Sequence, residues 1–223
     1  MAGARGTADR FRDLVHRRLL PGLADQGFAD RLPGSLAATE AFGVTWLLDL
    51  DVAGWSTPDK VCFTVSWGAH VPGVDEVVGD PAPEVPTVAA SAVHGRLGVT
   101  GPSIDPAWFE MKPMPRPLAA MADTQLANHV LTGVAEEIVP ILRKLSTPVE
   151  VQQHLHAGLV TGRGVPSAEE LQTIRRIAAL SLLLGDRANA ARWLDHLEDR
   201  SSAAMAPDLV AERLAPIRER LAS

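Results

Sequence analysis

Along residues 42–68 apolar and polar side chains alternate with a period of two, the repeat of an extended chain whose successive side chains point to opposite faces. Trp46, Leu48, Leu50 and Val52 form one set, and Thr45, Leu47, Asp49 and Asp51 the other. The alternation resumes with Val61, Phe63, Val65 and Trp67 against Cys62, Thr64 and Ser66. Residues 53–59 between them contain Gly54, Ser56, Thr57 and Pro58, which supply unusual φ, preset φ or local hydrogen bonds. Two antiparallel strands joined by a turn are predicted, with one face on a core and the other in water. Residues 35–41 read as a weaker strand that pairs with the first across a turn at 40–43. Further on, residues 89–100 read as a strand in which Val93, Leu97 and Val99 alternate with His94 and Arg96, and residues 107–111 as one more short strand.

A period of three to four governs the remainder. Phe11, Leu14, Val15, Leu19 and Leu23 line one side of an amphipathic helix whose other side carries Arg10, Arg12, Asp13, Arg17 and Arg18. Pro21 should kink or restart it, and Gly27 should end it. Leu126, Val130, Val134, Ile138, Leu142 and Leu145 predict a long central helix, kinked by Pro140. Thr147-Pro-Val-Glu150 and Ser167-Ala-Glu-Glu170 are capping-box signatures opening two more helices. Gly185 stops the second of these, Asp186 caps a third, and Pro207 starts a last one. The phrase running from Leu184 through Gly185 and Asp186 to Trp193 and Leu194 looks like the turn of a tetratricopeptide pair. One pair is no repeat array, so a helical appendage is expected. The fold class predicted is α+β: an antiparallel meander of three to five strands packed by N-terminal and central helices, as a domain over 1–163, with a helical hairpin or three-helix extension over 164–223.

Composition narrows the function classes. The 223 residues are 46% hydrophobic, enough for a substantial core, and carry a formal net charge of −6. That balance offers no general attraction to nucleic acid or anionic lipid, and neither is expected as a partner. Cys62 is the single cysteine, which rules out an intrachain disulfide and an all-cysteine zinc site. Residues 1–12 lack the apolar run of a signal peptide and no apolar stretch is long enough to span a bilayer, so a cytoplasmic protein is expected. Nine of the 17 prolines, at 72, 81, 83, 86, 102, 106, 113, 115 and 117, fall between the hairpin and the central helix, marking a loop-rich stretch suited to binding.

The order of several short motifs resembles a bacterial family, domain of unknown function 4304. After the opening helix come Gly27-Phe28 and the hairpin ending Phe63-Thr-Val-Ser-Trp-Gly68. Gly95-Arg-Leu-Gly98 and Asp105-Pro-Ala-Trp-Phe109 follow, then Ile138-Val-Pro-Ile-Leu142 and Ser146-Thr-Pro148. The resemblance covers about residues 9–160. It implies an α+β fold with an antiparallel sheet and no activity.

Two groups of residues could carry chemistry. Asp49 and Asp51 share a strand face at a Cα separation of roughly 6–7 Å, close enough to share a metal or act as an acid pair; the plainer reading is the wet face of a sheet. His94, Arg96, Asp105 and Trp108 bring an imidazole, a cation, a carboxylate and an indole to neighbouring positions. They could bind an anionic or planar ligand, or Arg96 and Asp105 could brace a loop by an ion pair. His154 and His156 lie two apart on a helix, about 200° from one another, and cannot ligate one metal. Cys62 reads as a structural thiol. No Gly-x-Ser-x-Gly elbow, His-Glu-x-x-His helix or Walker loop occurs. No cofactor or metal is therefore expected. The favoured expectation is a non-catalytic, regulatory or toxin-neutralising module that binds another protein, with Trp55 in the hairpin turn as an anchor. The alternative is an enzyme or small-ligand binder using one of the two groups. The oligomeric state is open.

Overall fold

A computed structural model describes residues 6–28, 36–81, 84–98, 106–159, 165–202 and 207–223. The chain divides into two compact units. The first comprises Met1–Glu40, Thr45–His70 and Val85–Arg143, and the second Ala41–Val44, Val71–Glu84 and Lys144–Ser223. The fold is α+β, with an antiparallel sheet, N-terminal and central helices, and further helices at the C-terminal end.

In the first unit the alternating stretches form β1 (Ala37–Ala41), β2 (Val44–Val52) and β3 (Val61–His70), followed by β4 (Val93–Arg96) and β5 (Phe109–Met111). Ser35, Val99 and Thr100, at the ends of two expected strands, lie outside the described residues, and of the strand expected over 89–100 only Val93–Arg96 is extended in the sheet, residues 89–92 belonging to the preceding loop. The sheet order is β1-β2-β3-β4, with β5 also paired to β3. The β1–β2 link is a two-residue turn in which Phe42 (φ 41°) and Gly43 (φ 87°) are both left-handed, the backbone that matches strand twist in a tight hairpin. Register sets Leu48 opposite Trp67, Leu50 opposite Val65 and Val52 opposite Phe63 on one face, continued by Phe109 beside Phe63.

Two helices cover that apolar face. The first runs as α1 (Thr7–Leu14), a π-helical segment (Val15–Leu19) and α2 (Leu20–Asp25), and lays Phe11 on Phe63 with ring centroids 5.0 Å apart. The central helix runs as α4 (Arg116–Gly133), a second π-helical segment (Val134–Ile138) and α5 (Val139–Arg143), and sets His129 edge-on to Phe109 at 5.4 Å. Arg10 of α1 pairs with Asp123 of α4 and donates to the Lys112 carbonyl, tying the two helices together. Both π segments end two residues before a proline, Pro21 or Pro140. A proline ring clashes with the carbonyl four residues back, and a widened turn relieves that clash without stopping the helix. The expected kinks therefore take the form of π turns.

The second face of the sheet departs from expectation. All ten residues of β3 are buried, including Cys62, Thr64, Ser66 and His70 on the side predicted to be wet. β3 is the central strand, flanked by β2 on one edge and by β4 and β5 on the other, and its second face is covered locally by the loop before β4. A Cβ placed on Gly68 would lie 2.3 Å from Ser91 Oγ and 3.2 Å from Val88 Cα, so the loop rests directly on the strand. The apolar face of β2 is in turn less covered than its pattern suggests, with Trp46 and Leu50 half-buried and Val52 exposed.

The second unit contains α3 (Val74–Val78), α6 (Pro148–Gly158), α7 (Ala168–Leu183), α8 (Arg187–Ser202) and α9 (Pro207–Ala222). The capping box at α6 forms in full, with Thr147 Oγ1 accepting from the Glu150 amide and Glu150 accepting from the Thr147 amide. At α7 Ser167 accepts from the Glu170 amide, but the Glu170 carboxylate reaches Arg200 of α8 at 2.8 Å. Gly185 ends α7 at φ 78°, and Asp186 caps α8 through the Asn189 amide at 3.0 Å. Ser181 is fully buried at the centre: it donates to the Ile177 carbonyl and accepts from Gln152 of α6 at 2.7 Å and Asn189 of α8 at 2.9 Å. Among the described residues no helix is long and apolar enough to cross a membrane.

Candidate functional site

The register of the sheet determines which candidate residues meet. Asp49 stands opposite Ser66 and Asp51 opposite Thr64, while Arg96 of β4 stands opposite Ser66 from the other edge. One polar row thus crosses three strands. Asp51 Oδ2 accepts from Ser66 Oγ in a short hydrogen bond and from Arg96 Nε at 3.0 Å. The two groups singled out in the sequence are thereby joined, because the described partner of Arg96 is Asp51. Asp105, its expected partner, lies outside the described residues.

Asp49 is occupied differently. Its Oδ1 accepts from the Leu50 amide at 2.8 Å. Burial raises its pKa above the ordinary carboxylate value, the Leu50 N–H opposes the rise, and the Asp51 charge adds to it. Thr64 is fully buried on the same face, and among the described residues its hydroxyl finds no hydrogen-bond partner. His94, opposite Gly68, is exposed and does not join the Asp51 cluster.

Trp55 and Trp108 come together at one end of the sheet. Their ring centroids are 4.9 Å apart at 59°, yet Trp55 is 61% exposed and Trp108 38%. The turn carrying Trp55 is held by Ser56, whose hydroxyl bonds both the carbonyl and the amide of Cys62, and by a bridge between Thr57 and Lys60. Trp108 immediately precedes β5 and so inherits the position of that strand on β3. Next to it, Glu110 stands opposite Cys62, accepts a long hydrogen bond from its thiol at 3.9 Å, and is bracketed by Lys60 at 2.6 Å and by Lys112. The Lys112 and Lys60 hydrogen bonds hold the Glu110 carboxyl at about 2.

In this arrangement the acidic side chains are braced by neighbouring donors. Oδ2 of Asp51 accepts from a hydroxyl and a guanidinium, and Oδ1 of Asp49 accepts from the next backbone amide. Among the described residues no three His, Cys, Asp or Glu side chains converge as a metal site. His156 instead packs edge-on to Trp193 at 4.7 Å, and burial lowers the pKa of His154 and His156 below the ordinary imidazole value. The alternation places Thr64 and Ser66 on the face of Asp49 and Asp51 without assigning either a partner, and sequence reasoning misses Glu110 altogether. That side is the one expected to face solvent, and it is the hairpin register that sets Ser66 opposite Asp49. Nothing local in the sequence signals the Trp55–Trp108 contact.

No family model, curated protein or solved structure matches the chain.

Proposed function

We propose that the protein is a non-catalytic interaction module that binds another protein, with Trp55 and Trp108 as its anchor. The observation that carries this reading is a pair of touching indoles, both solvent-facing, on a turn and a strand end that are each held by hydrogen bonds. Tryptophan is among the residues most enriched where binding energy concentrates, and a rigid aromatic anchor loses little conformational freedom on association. The Lys60–Glu110–Lys112 group beside it supplies a polar rim. A net charge of −6 weighs against nucleic acid as the partner, and a lone, buried Cys62 suits a reducing compartment such as the cytoplasm.

The test compares wild type with a Trp55→Ser, Trp108→Ser double variant in cross-linked affinity capture from the native host, after thermal melts establish that the variant folds. A defined partner retained by wild type and lost by the variant is expected. Capture of the same proteins by both would overturn the proposal. A small-ligand reading is favoured by a separate feature, in the helical unit.

A further inference from the structure

The C-terminal end of α6 and one stripe of α8 enclose an open groove of about 480 Å³, lined by His156, Leu159, Asn189, Arg192, Trp193 and His196. On α8, positions 189, 192, 193 and 196 fall three and four apart and so share a face. Trp193 lies at the centre, with the rings of His156 and His196 both near-perpendicular to it at 4.7 and 5.6 Å. The groove has a built floor. Ser181, fully buried in α7, bonds Gln152 of α6 and Asn189 of α8, which fixes the two walls relative to each other. Asn189 Oδ1 in turn accepts from Arg192 at 3.4 Å and steadies its guanidinium.

The polar groups left over offer N–H donors and include no acid. Among the described residues neither His156 nor His196 makes a hydrogen bond, and Arg192 meets no carboxylate. The lining contains two imidazoles and a guanidinium but no acid, in a chain with 27 acidic residues against 21 basic ones. A half-buried indole offers a face to a planar ring, imidazoles offer N–H donors, and a guanidinium matches a carboxylate or phosphate with paired N–H groups. The volume falls in the usual range for small-molecule sites. We propose that this groove binds a planar aromatic ring bearing an anionic group, the ring against Trp193 and the anion at Arg192 and the two histidines.

The experiment uses the full chain. Adenosine monophosphate, benzoate, adenosine and inorganic phosphate are titrated separately while the Trp193 indole N–H and the His156 and His196 imidazole signals are followed by NMR. Saturable shifts at all three residues are expected with a ringed anion, at least tenfold weaker with adenosine or phosphate alone. Saturation by adenosine monophosphate only identifies a nucleotide, and by benzoate only an aromatic carboxylate. Arg192→Gln, at an exposed position, should weaken the response about tenfold, and His196→Gln is the second variant. Three results would each overturn the proposal: no shift at Trp193 with either anion at millimolar concentration, unchanged binding in both variants, or phosphate alone binding as tightly as the ringed anions.

Discussion

Thr64 and Ser66 sit two residues apart on the same face of β3, both buried, and the structure assigns them opposite energetic roles. The Ser66 hydroxyl donates to Asp51, while the Thr64 hydroxyl has no partner among the described residues. An unsatisfied buried hydroxyl costs roughly 1–3 kcal/mol in desolvation, and valine has the shape of threonine with a β-propensity at least as high. Thr64→Val should therefore stabilise the protein by about 1–2 kcal/mol, which for a chain of this length raises the melting temperature by roughly 2–8 °C. Ser66→Ala removes a bond to a charged acceptor, worth roughly 1.5–3 kcal/mol when fully buried. Asp51 is partly solvated and keeps Arg96, so a loss of about 1–2 kcal/mol is expected. Urea unfolding followed by tryptophan fluorescence measures both, since Trp46, Trp55, Trp67 and Trp108 all lie on or beside the sheet. The midpoint should rise in one variant and fall in the other at constant slope. A Thr64→Val protein destabilised by more than about 1 kcal/mol would refute the reasoning, because it would mean that the hydroxyl is satisfied after all.

Gly68→Ala should destabilise by roughly 1–3 kcal/mol, read from the same urea curves, because its Cβ would meet Ser91 Oγ at 2.3 Å with the Val88 backbone behind it. Carboxyl NMR should find Glu110 titrating near 2, and Lys60→Gln with Lys112→Gln should return it toward 4.5. Because that folded pKa is depressed, the stability it contributes is complete above 4.5 and is lost as pH falls toward 2. Asp49 has the opposite sign: its raised pKa means that ionisation in the fold is unfavourable, a penalty absent below 3.8 that grows as pH rises through the folded value. Asp49→Asn, which can still accept from the Leu50 amide, should raise the melting temperature at pH 7 and lose that advantage below pH 3.8.

What the sequence reveals follows from how local each interaction is. The hairpin is legible because a period of two needs no partner to be recognised, and the Thr147–Glu150 cap because both halves lie within four residues. Ser167 looks identical, yet the Glu170 carboxylate is drawn to Arg200, thirty positions on, where no local pattern points. Pro21 and Pro140 are visible as disruptions, and only the continuing apolar line on both sides determines that the helix widens instead of breaking. The dry second face of β3 is not legible for a related reason. Cys62, Thr64 and Ser66 are small and only weakly polar, compatible with either solvent or a close-packed cover, and the covering residues Val88 and Ser91 belong to a loop that lacks a periodic signature. The alternation around Val93 predicts β4 as a strand but not its register, and the register is what delivers Arg96 to Asp51.

That delivery bears on what the sheet can do. A carboxylate serves as a catalytic base or metal ligand through a lone pair directed at an open site, and Asp51 has its Oδ2 taken by Ser66 of β3 and Arg96 of β4. Freeing it would break the one side-chain row described as crossing β2, β3 and β4. The same row, together with the Ser56 bonds to Cys62 and the pairing of β5, keeps the strands beneath Trp55 and Trp108 from shearing past one another. A surface fixed before its partner arrives loses less freedom on binding, so each exposed indole contributes more of its buried area to affinity. The bonds that engage these carboxylates are thus ones that would also stiffen the docking surface we propose, and on that proposal Arg96→Gln should weaken partner binding without touching either tryptophan.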